Sequence, residues 1–208
     1  MRNVIQATIK DAKEQVSHFG EVVIDLASDN EAWANVPLVE HAVKILKIKD
    51  AYKTNRIKRN YAEFIHSINA LSDIDKSELF RRFNPDEKDA FPEETAEVIF
   101  DVIADSQKPV KARVLGNLLG ALARKEIDQE EYDTLSLIVQ GCPVVALIAL
   151  PDFLESNNWL SYQSGFNPSV YESRLFSLGV GTRHGNMFRL DALGIKLAKH
   201  GFNLGVVN

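Results

Sequence analysis

Arg59, Asn60 and His66 are the residues of this chain whose types and spacing could do chemistry. A seven-residue step is close to two turns of an α-helix, so Arg59 and His66 would share one face. There the guanidinium could hold a phosphate while the imidazole serves as general acid or base, a pairing suited to a phosphodiester. Coincidence is the competing explanation, because such pairs arise in many helices and His66 stands among the apolar Ile65 and Ile68. The other histidines, His18, His41, His184 and His200, do not pair with each other or with a glutamate at helical ligand spacing on an inward face. Glu40 and His41 are merely adjacent. No metal and no cofactor is expected. The nucleophile-elbow, phosphate-loop and Ser-x-x-Lys patterns are missing, and Gly179, Gly181 and Gly185 neither follow a strand nor open a helix.

A helix carrying Arg59 would sit in the most basic part of the chain. Between His41 and Asn60, seven basic residues (Lys44, Lys47, Lys49, Lys53, Arg56, Lys58, Arg59) face one acid, Asp50, a net charge of +6. Residues 73–105 follow with eleven acids against four bases, a net of −7. The basic stretch suits a nucleic-acid backbone, an anionic membrane surface, an acidic protein partner, or the acidic helices of the same chain. Aromatic interleaving for base stacking is thin, with only Tyr52 and Tyr61 in the stretch.

The whole chain has 208 residues, 45% of them apolar, and a net charge of −5. That is enough to bury a core, and the mild acidity gives no general support to nucleic-acid binding. A single cysteine, Cys142, excludes an intramolecular disulfide and fits a reducing compartment. The first sixteen residues lack the apolar run of a secretory signal, and the longest apolar run, Pro143 to Leu150, is too short to span a bilayer. The expectation is a soluble cytoplasmic protein with no membrane partner.

Apolar residues at spacings of three and four predict a helix from Asn3 to about Leu26 and a second opened by Pro37, through Val39, Val43 and Leu46. The period resumes with Ile57, Tyr61, Phe64, Ile65, Ile68 and Leu71. The basic residues crowding the start of that helix oppose its dipole, so either it continues the preceding helix or something anionic is nearby. Ser72 or Asp73 starts a further helix, Pro92 opens one lined by Ala96, Ile99, Phe100 and Ile103, and Lys108-Pro109 opens another. Asp128 caps the next, and Pro143 to about Leu154 reads as one last apolar helix. Its Val144, Val145, Leu147, Ile148 and Leu150 cover nearly the whole circumference, which suits either the core or a protein interface.

From Trp159 the composition shifts to a net +3. A helix over 168–178, a hairpin around Gly179 to Gly185, a strand over 187–190 and a helix over 191–200 with Gly201 past its end complete the chain. The predicted organisation is a mainly α fold: a multi-helix body over 1–156 and a small α+β unit over 157–208.

The tail resembles the end of a winged helix-turn-helix domain in Leu175, Leu178, Gly179 and Val180, then Phe188 and Leu190, then Leu193, Gly194 and Leu197. That resemblance implies a DNA-binding role for Arg174, Arg183, His184 and Arg189, although the groove helix offers Arg174 as its only base and also carries Glu172. Residues 36–200 resemble a group of bacterial helical proteins associated with abortive infection and phage defence, through Val36-Pro37, the segment Arg56 to Phe64, and Lys111 to Leu118 with Ala121. Arg59-Asn60 with His66 is similar to the Arg-polar-x5-His motif of HEPN ribonucleases, which implies a nuclease with those two residues catalytic. The leading expectation is a non-enzymatic interaction or regulatory component of an anti-phage assembly, with a protein partner and an interface at Val144, Val145, Leu147, Ile148 and Leu150. The alternatives are the HEPN-like ribonuclease and the winged-helix regulator. For anion or nucleic-acid binding the candidates are Lys44, Lys47, Lys49, Lys53, Arg56, Lys58, Arg59, Arg174, Arg183 and Arg189.

Overall fold

Side-chain caps at Ser72, Asp128 and Asp191 set three of the helix starts among the described residues, and the computed structural model describes residues 51–84, 86–155, 162–163, 170–185 and 187–204. The expected helices over 3–26 and 37–48, and the composition shift at 156–158, lie outside the described residues. The described part is mainly helical, with a small antiparallel sheet near the C-terminus. The chain divides into two compact units, residues 1–112 and 113–208. The composition shift therefore falls inside the second unit, and the tail shares that unit with the helices before it.

In unit 1, α1 (Ala51–Asn69) buries Ile57, Tyr61, Phe64, Ile65 and Ile68 along one stripe. Each such side chain contributes about 1.5–3 kcal/mol on leaving water. The stripe packs on α3 (Glu93–Asp105), whose Ala96, Ile99, Phe100 and Ile103 face inward. Tyr61 stacks on Phe100 with ring centroids 6.2 Å apart, and burial pushes its phenol far above the ordinary range. Between them, α2 (Asp73–Arg82) starts at Ser72, whose hydroxyl accepts from the Asp75 amide. Phe83 and Phe91 then meet edge to face at 4.7 Å. Leu71 lies past the end of α1 and is only half-buried.

The division between the units falls in the first turn of α4 (Val110–Ala123). In unit 2, α4 buries Val114, Leu115, Leu118, Leu119 and Leu122, and α5 (Gln129–Gly141) buries Tyr132, Leu135, Ile138 and Val139. Asp128 and Glu131 form a reciprocal capping box at the start of α5. The expected single helix over Pro143–Leu154 is two: α6 (Val144–Leu147) and α7 (Leu150–Glu155). Pro151 explains the break, because a proline lacks the amide that would bond back to the Leu147 carbonyl and its ring crowds that carbonyl.

The sheet has the order β1-β3-β2, from β1 (Tyr162–Gln163), β2 (Gly181–His184) and β3 (Met187–Leu190). The hairpin pairs Gly181 with Leu190 and Thr182 with Arg189. β1 was not expected, since two residues carry no alternation of their own. Before the hairpin, α8 (Val170–Ser177) ends in a Schellman-type cap: Gly179 has φ +70°, its amide donates to Phe176 O, and the Val180 amide donates to Leu175 O. After it, Asp191 caps α9 (Ala192–Gly201) by accepting from the Gly194 amide at 3.0 Å. Gly194 is glycine for a close approach, as a Cβ there would stand 1.9 Å from Val180 O. Gly201 is the last residue of α9 rather than past its end, and Asn117 Nδ2 donates to its carbonyl at 2.8 Å.

Candidate functional site

Two residues of the basic stretch, Arg56 and Arg59, meet backbone carbonyls within unit 1. Arg56 Nη2 donates to Ala104 O at 3.1 Å, and Arg59 Nη2 donates to Gln107 O at 3.3 Å. Asn60, fully buried, donates through Nδ2 to Ile103 O at 2.9 Å and to Ser106 O at 2.7 Å. These are the last carbonyls of α3 and the turn after it, which carry the negative end of that helix dipole. The negative end of the α3 dipole therefore lies against Arg56 and Arg59 of α1. Lys44, Lys47 and Lys49 lie outside the described residues, the Lys53 side chain is likewise not described, and Lys58 is half-buried.

Arg59 and His66 are both exposed on α1, about 10 Å apart along its axis. Asn60, between them in the motif, points inward and holds two carbonyls, so its role is structural. An open depression of about 460 Å³ in unit 1 lies elsewhere, along α2, lined by Asp73, Ile74, Ser77, Glu78 and Arg81. Its cation is already engaged. Arg81 pairs with Glu78 at 2.9 Å, Glu87 at 2.7 Å and Asp89 at 2.7 Å. That hydrogen bonding from Arg81 holds the Asp89 carboxyl down at about 2. Arg82 lies over the Phe91 ring at 4.2 Å. Among the described residues no group of three or more His, Cys, Asp or Glu could hold a metal ion. No helix among them is long and apolar enough to cross a membrane.

Unit 2 sorts the expected interface residues into two sets. Leu147 and Leu150 are fully buried and belong to the core, and Val144 is half-buried. Val145 and Ile148 remain 49% and 51% exposed. They stand three residues apart, so they form one ridge along α6 and its C-cap. α6 packs on α8, which leaves Phe176 57% exposed and Tyr171 exposed beside its buried Leu175. Leu137 on α5 is 60% exposed, one turn before Gly141, and a Cβ on Gly141 would lie 3.4 Å from Leu178 Cδ2 beyond the end of α8. Three adjoining helices therefore place large apolar side chains in water. Sequence reasoning found only the α6 part. The rest was hidden because Leu137 and Phe176 sit on helices whose buried stripes look complete without them.

The tail arginines are also outward. Arg174 on α8 and Arg183 and Arg189 on the hairpin are exposed, while the His184 side chain is not described. Glu172, nearly fully buried, has its carboxyl pushed up by burial, with the nearby Arg183 charge opposing that effect. Compared with protein families, with curated proteins and with solved structures, the chain matches none.

Proposed function

We propose that the protein is a non-enzymatic interaction component, a regulatory subunit of a larger bacterial assembly of the anti-phage kind, with the contact made by unit 2. The observation that carries this reading is the Val145–Ile148 ridge, two β-branched side chains half in water on a helix whose opposite face is core. Leu137 and Phe176 on adjoining helices extend the apolar surface. The buried centre of a protein contact is depleted in charge and more apolar than its rim, which is the composition these side chains offer. Catalysis finds less support: Arg59 is hydrogen-bonded to the Gln107 carbonyl and Asn60 is buried. Co-purification of the tagged protein from its own host at moderate salt is the test, run beside the V145D/I148D double variant. A stoichiometric protein recovered with the natural chain and lost from the variant supports the reading. Equal recovery with both chains, or nucleic acid alone, sinks it.

A second reading, a winged-helix DNA-binding regulator, is supported by the helix–hairpin–helix order of the tail and the outward Arg174, Arg183 and Arg189. Affinity for duplex DNA that falls steeply with salt, and falls again in an R183A/R189A variant, would favour it over the first.

A further inference from the structure

The apolar ridge of unit 2 stands in a stretch of chain with charge of one sign only. From Ile127 to Asn158 there are six acids and no lysine, arginine or histidine. Two of the six are taken up by the fold: Asp128 caps α5, and Glu131 pairs with Lys196 of α9. The other four, Glu130, Asp133, Asp152 and Glu155, are exposed, and among the described residues no basic side chain pairs with them. Gln129 Nε2 donates to Asp133 Oδ1 at 2.8 Å, which leaves that charge in place. These carboxylates border the apolar surface on two sides. On α5, Asp133 stands one turn before Leu137 and Glu130 one turn before that, all three on one exposed face. Beyond Ile148, Asp152 and Glu155 are the exposed residues of α7. Arg174 is the only basic residue on the helices α5 to α8.

An apolar surface with borders of one charge selects what can cover it. Nucleic acid or an anionic membrane would bring phosphates against carboxylates. A second copy docked through the same face would set four carboxylates against four, with one arginine on each side to offset them. A cationic partner gains at both borders while its apolar side covers Val145, Ile148, Leu137 and Phe176. We infer that the partner surface is an amphipathic segment of another protein, apolar on one side and bearing lysine or arginine along its edges. This rests on the reading that unit 2 makes the contact, and adds to it the sign of the partner's charge. The border carboxylates are exposed, so each pair contributes little by itself and salt weakens them all. Their main effect is on the rate of encounter and the choice of partner.

The test uses two synthetic amphipathic helices of about 18 residues with the same leucine face, one with lysine on its polar side and one with glutamate. Fluorescence anisotropy measures their affinity for the full natural chain, for a V145S/I148S variant and for an E130Q/D133N/D152N/E155Q variant. The lysine peptide should bind the natural chain at least about tenfold more tightly than the glutamate peptide, and should lose about tenfold in either variant. Equal affinity of the two peptides for the natural chain, lost for both in V145S/I148S, refutes the acidic border and leaves the contact reading intact. A lysine peptide that binds V145S/I148S as tightly as the natural chain also refutes the inference, since attraction to charge alone is then at work. Failure of both peptides to bind overturns the inference, and co-purification then decides the contact reading on its own. So does a natural chain that sediments as a dimer beside a monomeric V145S/I148S, because the occupant is then a second copy. Should the four-site variant fail to fold, the comparison of the two peptides on the natural chain decides, as it needs no substitution there.

Discussion

In unit 1 the strongest charges are turned on the chain itself: Arg56 and Arg59 onto the end of α3, Arg81 onto three carboxylates. In unit 2 the interior is closed by close backbone approaches at Gly194 and Gly201, and apolar side chains remain outside at Val145, Ile148 and Phe176. Arg56 and Arg59, the part of the basic run whose contacts are described, therefore serve internal packing, whereas α6 is left with apolar surface to offer. Charge is visible in a sequence whatever it does, but surplus apolar area shows only after the core has taken its share.

The sharpest way to break that contrast is Asn60→Ala. It would leave the buried Ile103 and Ser106 carbonyls without their donor, and urea unfolding should show a loss of about 3 kcal/mol. A loss under about 1 kcal/mol would mean that the end of α3 does not depend on α1. Next comes Gly194→Ala in unit 2, where the added carbon meets Val180 O. The expected cost is about 2 kcal/mol by the same measurement. Glu172→Gln should act in the opposite direction. Since burial raises that carboxyl, the carboxylate is the disfavoured form, so stability falls as pH rises through the carboxylate range and the glutamine variant should be the more stable at neutral pH. Smallest is Arg81→Ala, an exposed site, whose effect should shrink in concentrated salt. Asp89, held down by Arg81, contributes stability above about pH 4 that is lost as the pH falls toward 2, and the variant should lack that acid dependence.

Helix starts at Ser72, Asp128 and Asp191 were legible because a cap is a local event among four residues, and the start at Pro92 because proline's fixed φ suits a helix opening. The core stripes of α1, α3, α4 and α5 were legible for the same reason, from their period. Two features were misread. Pro151 sits inside a continuous apolar run, which merged α6 with α7 in the sequence reading; of that run, offered as core or interface, Leu147 and Leu150 are core. Asn60 was read as an accessory to Arg59 and His66, because its true acceptors stand 43 and 46 residues away. No local pattern announces such a partner. The Glu126–His200 contact, 74 residues apart, was invisible for the same reason.

The hydrogen bonds from Asn117 Nδ2 to Gly201 O and from Asn203 Nδ2 to Asn117 Oδ1 span 84 and 86 residues. The links that Arg56 and Arg59 make to the end of α3 span 48. During synthesis the α1–α3 pairing can close while the chain is still being extended, but α4 must wait for α9 to leave the ribosome before its last polar contacts exist. Closing the longer loop also costs more entropy before any contact repays it. Unit 2 should therefore be the slower to reach its native state, and its apolar helices the part most in need of a chaperone while they wait.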